Sequence, residues 1–209
     1  MVNKKVMKEK GRKIKKRKFS LKQEYRESFN FLCKAKYHIV FVAALFFLIA
    51  LAVYSGIQNQ ELNKVLLEYL KKMVTEFEGK GTCETIFMIF ANNLLVSFLG
   101  IILGVFFAVI PVIFVISNGY ALGFIAQKSV DIAGIAILWR LFPHGIFELP
   151  AVFISLALGI KLGMFVFARQ PWKELKIRFF KSMKVFFYIV LPLLVIAAII
   201  EGILIVVAG

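Results

Sequence analysis

His144 and Glu148 stand four residues apart in Pro143-His144-Gly145-Ile146-Phe147-Glu148-Leu149-Pro150, at the head of an apolar run that reaches about Ala168. On a helix that spacing puts an imidazole and a carboxylate on one face. The run predicts hydrocarbon around them, where a charged side chain costs roughly 2.5–3.5 kcal/mol on insertion scales. Such groups therefore have a partner or a task. Asn92, Asn93, Asn118 and Glu201 are the other polar residues in comparable stretches, apart from Lys161. Together the six can form a proton, cation or substrate site. Alternatively they are interhelical hydrogen-bonding glue, at about 0.6 kcal/mol per bond. For His144 and Glu148, switching by a partner belongs with the functional reading.

Other chemistries find little support. His144 and Glu148 make HxxxE rather than HExxH, without the paired histidines and intervening base of a zinc protease. A metal held by His144, Glu148 and Glu201 is the remaining metal reading, and the expectation is none. No GxSxG, P-loop or dinucleotide fingerprint occurs, and Ser97 and Ser155 lack a nucleophile's context. The expectation is a protein without catalysis of its own and without a cofactor.

The elements that position these residues follow from composition. The chain is 60% hydrophobic with mean hydropathy +0.82. Its apolar residues lie in uncharged blocks long enough to span a bilayer rather than at amphipathic spacing. The net charge of +15 is uneven. Residues 1–37 hold 14 Lys/Arg against three acids and residues 168–184 hold six against one, whereas 57–84 hold four against five. By the positive-inside rule the first two regions are cytoplasmic. The basic start is not a cleavable signal, and Val2 excludes N-myristoylation. Cys33 and Cys83 fall on opposite sides, so no bond between them is expected.

The fold class read from this is all-α: a polytopic membrane bundle of about five spans, N-terminus cytoplasmic and C-terminus outside. Residues 1–36 form a basic tail plus an interfacial amphipathic helix, with Leu21, Tyr25, Phe29 and Leu32 as its stripe. The tail suits anionic headgroups and, lacking interleaved aromatics, not nucleic acid. Residues 37–209 form the bundle. Its first span is about 38–54, and an external amphipathic helix follows at about 57–80, its apolar face carried by Leu62, Val65, Leu66, Tyr69, Leu70, Met73 and Phe77. From Thr85 to Gln127 there is no charge in 43 positions, ~64 Å as one helix, so the chain must turn. Pro111 is the best breaker, giving spans at 85–106 and 111–127. An external connection at 128–142, a fourth span at 143–167 and a fifth at 185–207 complete the chain. His38 is read as a side chain at headgroup level, and Lys161 as one that snorkels to the inner surface.

This topology sets depths. Asn92 and Asn93 lie ~11–12 Å below the outer end of their helix, Glu148 ~8 Å and Glu201 ~9 Å, with Asn118 nearer the middle. The six share a layer, and whether they share a site depends on their faces. Three glycine pairs spaced four apart, Gly100/Gly104, Gly119/Gly123 and Gly159/Gly163, make flat strips for close helix approach. They serve packing within the chain or self-association into a dimer or larger assembly.

With these residues in view, the chain resembles the stage II sporulation protein M family of bacterial and archaeal membrane proteins. The resemblance rests on Pro143-His144-Gly145 with Glu148-Leu149-Pro150 opening a span that ends Gly159-x-x-x-Gly163. It rests also on Phe90-x-Asn92-Asn93 and on Asn118-Gly119 with Leu122-Gly123, and covers about residues 20–207. It implies a multi-pass protein of the cytoplasmic membrane and a family motif at Pro143, His144, Gly145, Glu148 and Pro150. In spore formers such proteins anchor two peptidoglycan-degrading partners during engulfment, so protein partners are expected. Many members occur where no spores form, and the sporulation role itself is not carried over.

Overall fold

A computed structural model describes residues 20–77 and 80–208, so the basic tail lies outside the described residues. All regular structure among them is helical: α1 (Leu21–Cys33), α2 (Lys36–Tyr54), α3 (Gln60–Phe77), α4 (Thr82–Ile102), α5 (Val109–Ala133), α6 (Phe142–Gly163), α7 (Pro171–Val185) and α8 (Leu191–Ala208). Five stretches are long and apolar enough to cross a membrane: Lys36–Tyr54, Thr82–Val105, Val109–Ala133, Gly145–Phe167 and Pro171–Ile200. The expected number of spans is present, with shifted limits.

The spans are not equivalent. Of the fourth, 72% is buried, against 17–28% of the others. Residues 151–160 of α6 are buried without interruption. A helix packed all round needs neighbours all round. Here α2 and α5 form a pair on one side, and α4 and α8 stand on the other. One core joins Val42, Phe46 and Val115 to Leu156 of α6, and the second joins Ile101, Val190 and Leu194 to Leu158.

Glycines set the closest approaches. A Cβ built on Gly104 would fall inside the carbonyl of Gly159, and one on Gly159 inside the carbonyl of Gly100. The first and third glycine pairs thus face one another where α4 crosses α6. The middle pair faces α2, where a Cβ on Gly119 would lie 2.8 Å from the Phe46 carbonyl oxygen. Contact this close between backbones supplies dispersion and Cα–H···O attraction in place of a hydrophobic drive.

The turn between α4 and α5 differs in detail from the sequence reading. The reversal is complete before Pro111, because Phe107 and Ala108 adopt left-handed backbone with φ of 54° and 62°. Ala108 sits in the notch left by Gly163, whose own Cβ would strike the Ala108 backbone. Pro111 falls in the first turn of α5, where a missing N–H costs nothing. At its other end α5 continues to Ala133, so the connection expected at 128–142 shrinks to Gly134 and a 3₁₀ stretch, Ile135–Leu141. The basic segment 168–184 is also more regular than expected. Most of it is α7, which runs through a π-helical turn, Phe186–Val190, directly into α8. The amide of Leu191 bonds the carbonyl of Phe186 five residues back. Pro192 follows, without an N–H to sustain the ordinary register.

α1 lies against α7, burying Ser28 and Phe31 and leaving Leu21, Tyr25 and Phe29 facing outward. Lys184 of α7 pairs with Glu24 and, at 3.4 Å, with Glu27 of α1.

Candidate functional site

α4, α5 and α6 bring three of the predicted polar residues to one cavity of about 240 Å³. Asn93, Asn118 and Glu148 line it, with Phe46, Gly145 and Leu149 completing much of the wall. A narrower void links Asn93 and Glu148 to Leu194 and Ala197 of α8. Glu148 and Asn93 thus stand between the two halves of the bundle.

The helix carrying Glu148 is locally irregular. Pro150 lies inside α6, where its ring removes the amide that would bond the Ile146 carbonyl. Gly145 leaves room on the same wall: a Cβ there would meet only Leu149 Cδ1, at 3.7 Å. Proline and glycine together open α6 beside the carboxylate, whereas the glycines further along close it.

Asn118 is satisfied within its own helix, its Nδ2 donating to the Phe114 carbonyl at 2.7 Å. That is a local bond, not the cross-helix glue expected of it. Asn93 has no hydrogen-bond partner among the described residues. Asn92 departs from the predicted set. It is exposed on the outer side of α4, because adjacent helical residues point about 100° apart and only one of the pair can face the cavity. Pro143 and His144 belong to α6 and Glu201 to α8 by backbone, but their side chains lie outside the described residues. No cluster of three metal-ligating side chains occurs among the described residues. Ser155 is buried and donates to the Ala151 carbonyl at 2.9 Å, which uses the hydroxyl structurally.

Two features escaped the sequence reading. A polar latch ties the start of α3 to α5. The Tyr120 hydroxyl accepts the Asn59 amide at 2.9 Å and contacts Asn63 Oδ1 at 2.7 Å, and Gln58 bonds Gln127. Asn59 Oδ1 also caps α3 by accepting the amides of Glu61 and Leu62. The run Gln58-Asn59-Gln60 was the available signal.

The second feature lies at the basic end of the bundle. His38 Nε2 lies 3.2 Å from Met164 Sδ, and its Nδ1 is buried without a partner among the described residues. Lys161 places its ammonium 4.6 Å over the Phe31 ring of α1.

No solved structure matches the chain. An uncharacterized protein of the archaeon Methanocaldococcus jannaschii is 28% identical over 134 residues, 60% of this chain and 59% of that relative. The chain thus spans less than two thirds of that relative's length. The family description of stage II sporulation protein M matches residues 38–204, the whole bundle from the first span into the last. With four apolar helices around a Gly-lined central span, the chain is a multi-pass membrane protein that belongs to the stage II sporulation protein M family.

Proposed function

We propose that this protein is a scaffold that recruits partner proteins at the cytoplasmic membrane and performs no catalysis of its own. The observation that carries the reading is α3. It is latched to α5 at its base, yet along its length it packs extensively on no other element, and Leu62, Val65 and Tyr69 are exposed. An apolar helical face beyond the spans is a surface on which another protein can lay a complementary groove or helix. The anchoring role that the family plays for peptidoglycan-degrading enzymes points the same way.

A photo-crosslinking amino acid at Val65, activated in native membranes, tests this. Discrete protein adducts, lost when Leu62 and Tyr69 are changed to Ser, are expected. Adducts to lipid alone would overturn the reading.

The cavity of Asn93, Asn118 and Glu148 favours a second reading, an oligomeric channel or transporter. A carboxylate beside a hollow between spans is what an ion or proton path requires. Flux into liposomes holding the wild-type chain, abolished by Glu148→Gln, would establish it. Equal leakage from both would remove it.

A further inference from the structure

Where α1, α6 and α7 meet, positive charges gather without matching acids. Lys161 and Lys181 both stand over the Phe31 ring, at 4.6 and 5.7 Å from its centre. Lys34, Arg178 and Lys181 are the charges that bear on Lys161. Two nearby cations are already engaged. Arg178 donates to Glu174 at 3.3 Å and to the Lys161 carbonyl at 2.8 Å, while Lys184 holds Glu24 and Glu27. Lys34, Lys161 and Lys181 have no ion-pair partner among the described residues. The two ammoniums over the ring and the nearby Lys34 repel one another, and an anion from outside the protein would relieve that repulsion.

The shape beside them limits what the anion can be. A groove of about 500 Å³ runs between α1 and α7, walled by Phe31, Ile177 and Phe180 and lined also by Lys34 and Lys181, and by Glu27, which pairs with Lys184 there. Its surface is mostly apolar. An inorganic ion would answer the charge and leave that wall empty, whereas an amphiphile answers both. Phe29 of α1 and Phe187 beyond α7 are exposed, and the first apolar span begins at Lys36, two residues after the groove-lining Lys34. That is the level of lipid headgroups. Basic pockets between helices on the cytoplasmic side are suited to anionic phospholipid.

We propose that this groove is a discrete site for one anionic phospholipid, its phosphate held by Lys34 and Lys181, with Lys161 nearby adding to the positive field, and an acyl chain laid against Phe31, Ile177 and Phe180. The site is independent of the scaffold and transport readings.

Native mass spectrometry of the purified full chain in detergent tests it, with phosphatidylglycerol, phosphatidylcholine and inorganic phosphate as probes. Selective retention of one phosphatidylglycerol is expected. Lys34→Gln/Lys181→Gln changes two exposed positions, so folding is preserved, and should weaken retention roughly tenfold or more. A variant of matched charge loss on α3, Lys64→Gln/Lys71→Gln, should retain the lipid as the wild type does. Equal retention of phosphatidylcholine, or no effect of the Lys34/Lys181 changes, would overturn the proposal. Full displacement by millimolar inorganic phosphate would assign the cations to a free anion and overturn the lipid reading.

Discussion

Asn92 and Asn93 are chemically identical neighbours with different fates. One faces outward and the other lines a cavity shared with Glu148. Their depths were readable from rise per residue, but their faces depended on which side of α4 meets α6. Asn118 lines the same cavity yet spends its amide on Phe114, so replacing it should be cheap. Asn118→Leu is expected to alter stability by about 1 kcal/mol or less, measured as the midpoint of unfolding by denaturing detergent. A shift several times larger would mean that its amide also bonds across the bundle. The glycines divide in the same way. Gly159→Ala should cost about 1–3 kcal/mol, because its Cβ would collide with the Gly100 carbonyl. Gly145→Ala makes only an ordinary van der Waals contact with Leu149 among the described residues and should be neutral or stabilising by about 0.5–1 kcal/mol. Thermal unfolding of the two variants side by side checks the contrast.

Helices α1 and α3 were both legible as amphipathic, and both present apolar residues outward: Leu21, Tyr25 and Phe29 on α1, and Leu62, Val65 and Tyr69 on α3. What holds each is polar. α1 is tied to α7 through Lys184 with Glu24 and Glu27, and α3 to α5 through Tyr120. Tyr120→Phe should therefore free the start of α3 while leaving the spans intact. Amide exchange over residues 57–63 is expected to rise several-fold, with α5 unchanged. No change there would show that α3 is held by its apolar face instead. The continuous run from α7 into α8 was hidden because the segment's charges placed it on the cytoplasmic side and the last span was taken to begin only after them. Charge decides on which side of a membrane a segment stays, but it does not stop a helix from extending to it.

The bundle as a whole inverts the rule of soluble cores. Its central helix is not the most apolar of the five, since the outer faces of its neighbours meet lipid and gain from apolarity as much as the core does. Centrality follows instead from Gly159, Gly163 and the buried run from Ala151 to Ile160. The charge asymmetry predicts the orientation, and the two exposed cysteines can report it. In intact cells a membrane-impermeant maleimide should label Cys83 and spare Cys33. The reverse pattern would invert the topology.

The number of spans, the amphipathic helices and the glycine strips were determined by the sequence itself. Each depends only on local quantities: the length of an apolar block, the period of a stripe, the rise of a helix. Tertiary structure alone decided that the fourth span is the hub, that Asn93, Asn118 and Glu148 share a cavity and Asn92 does not, and that Lys34, Lys161 and Lys181 gather beside Phe31. Those outcomes turn on the rotation of each helix about its axis. In a bilayer, hydrophobicity barely constrains that rotation, because every face of an apolar helix is equally at home in lipid. It is set by where backbones can touch, and glycines on two different helices reveal that only once they meet.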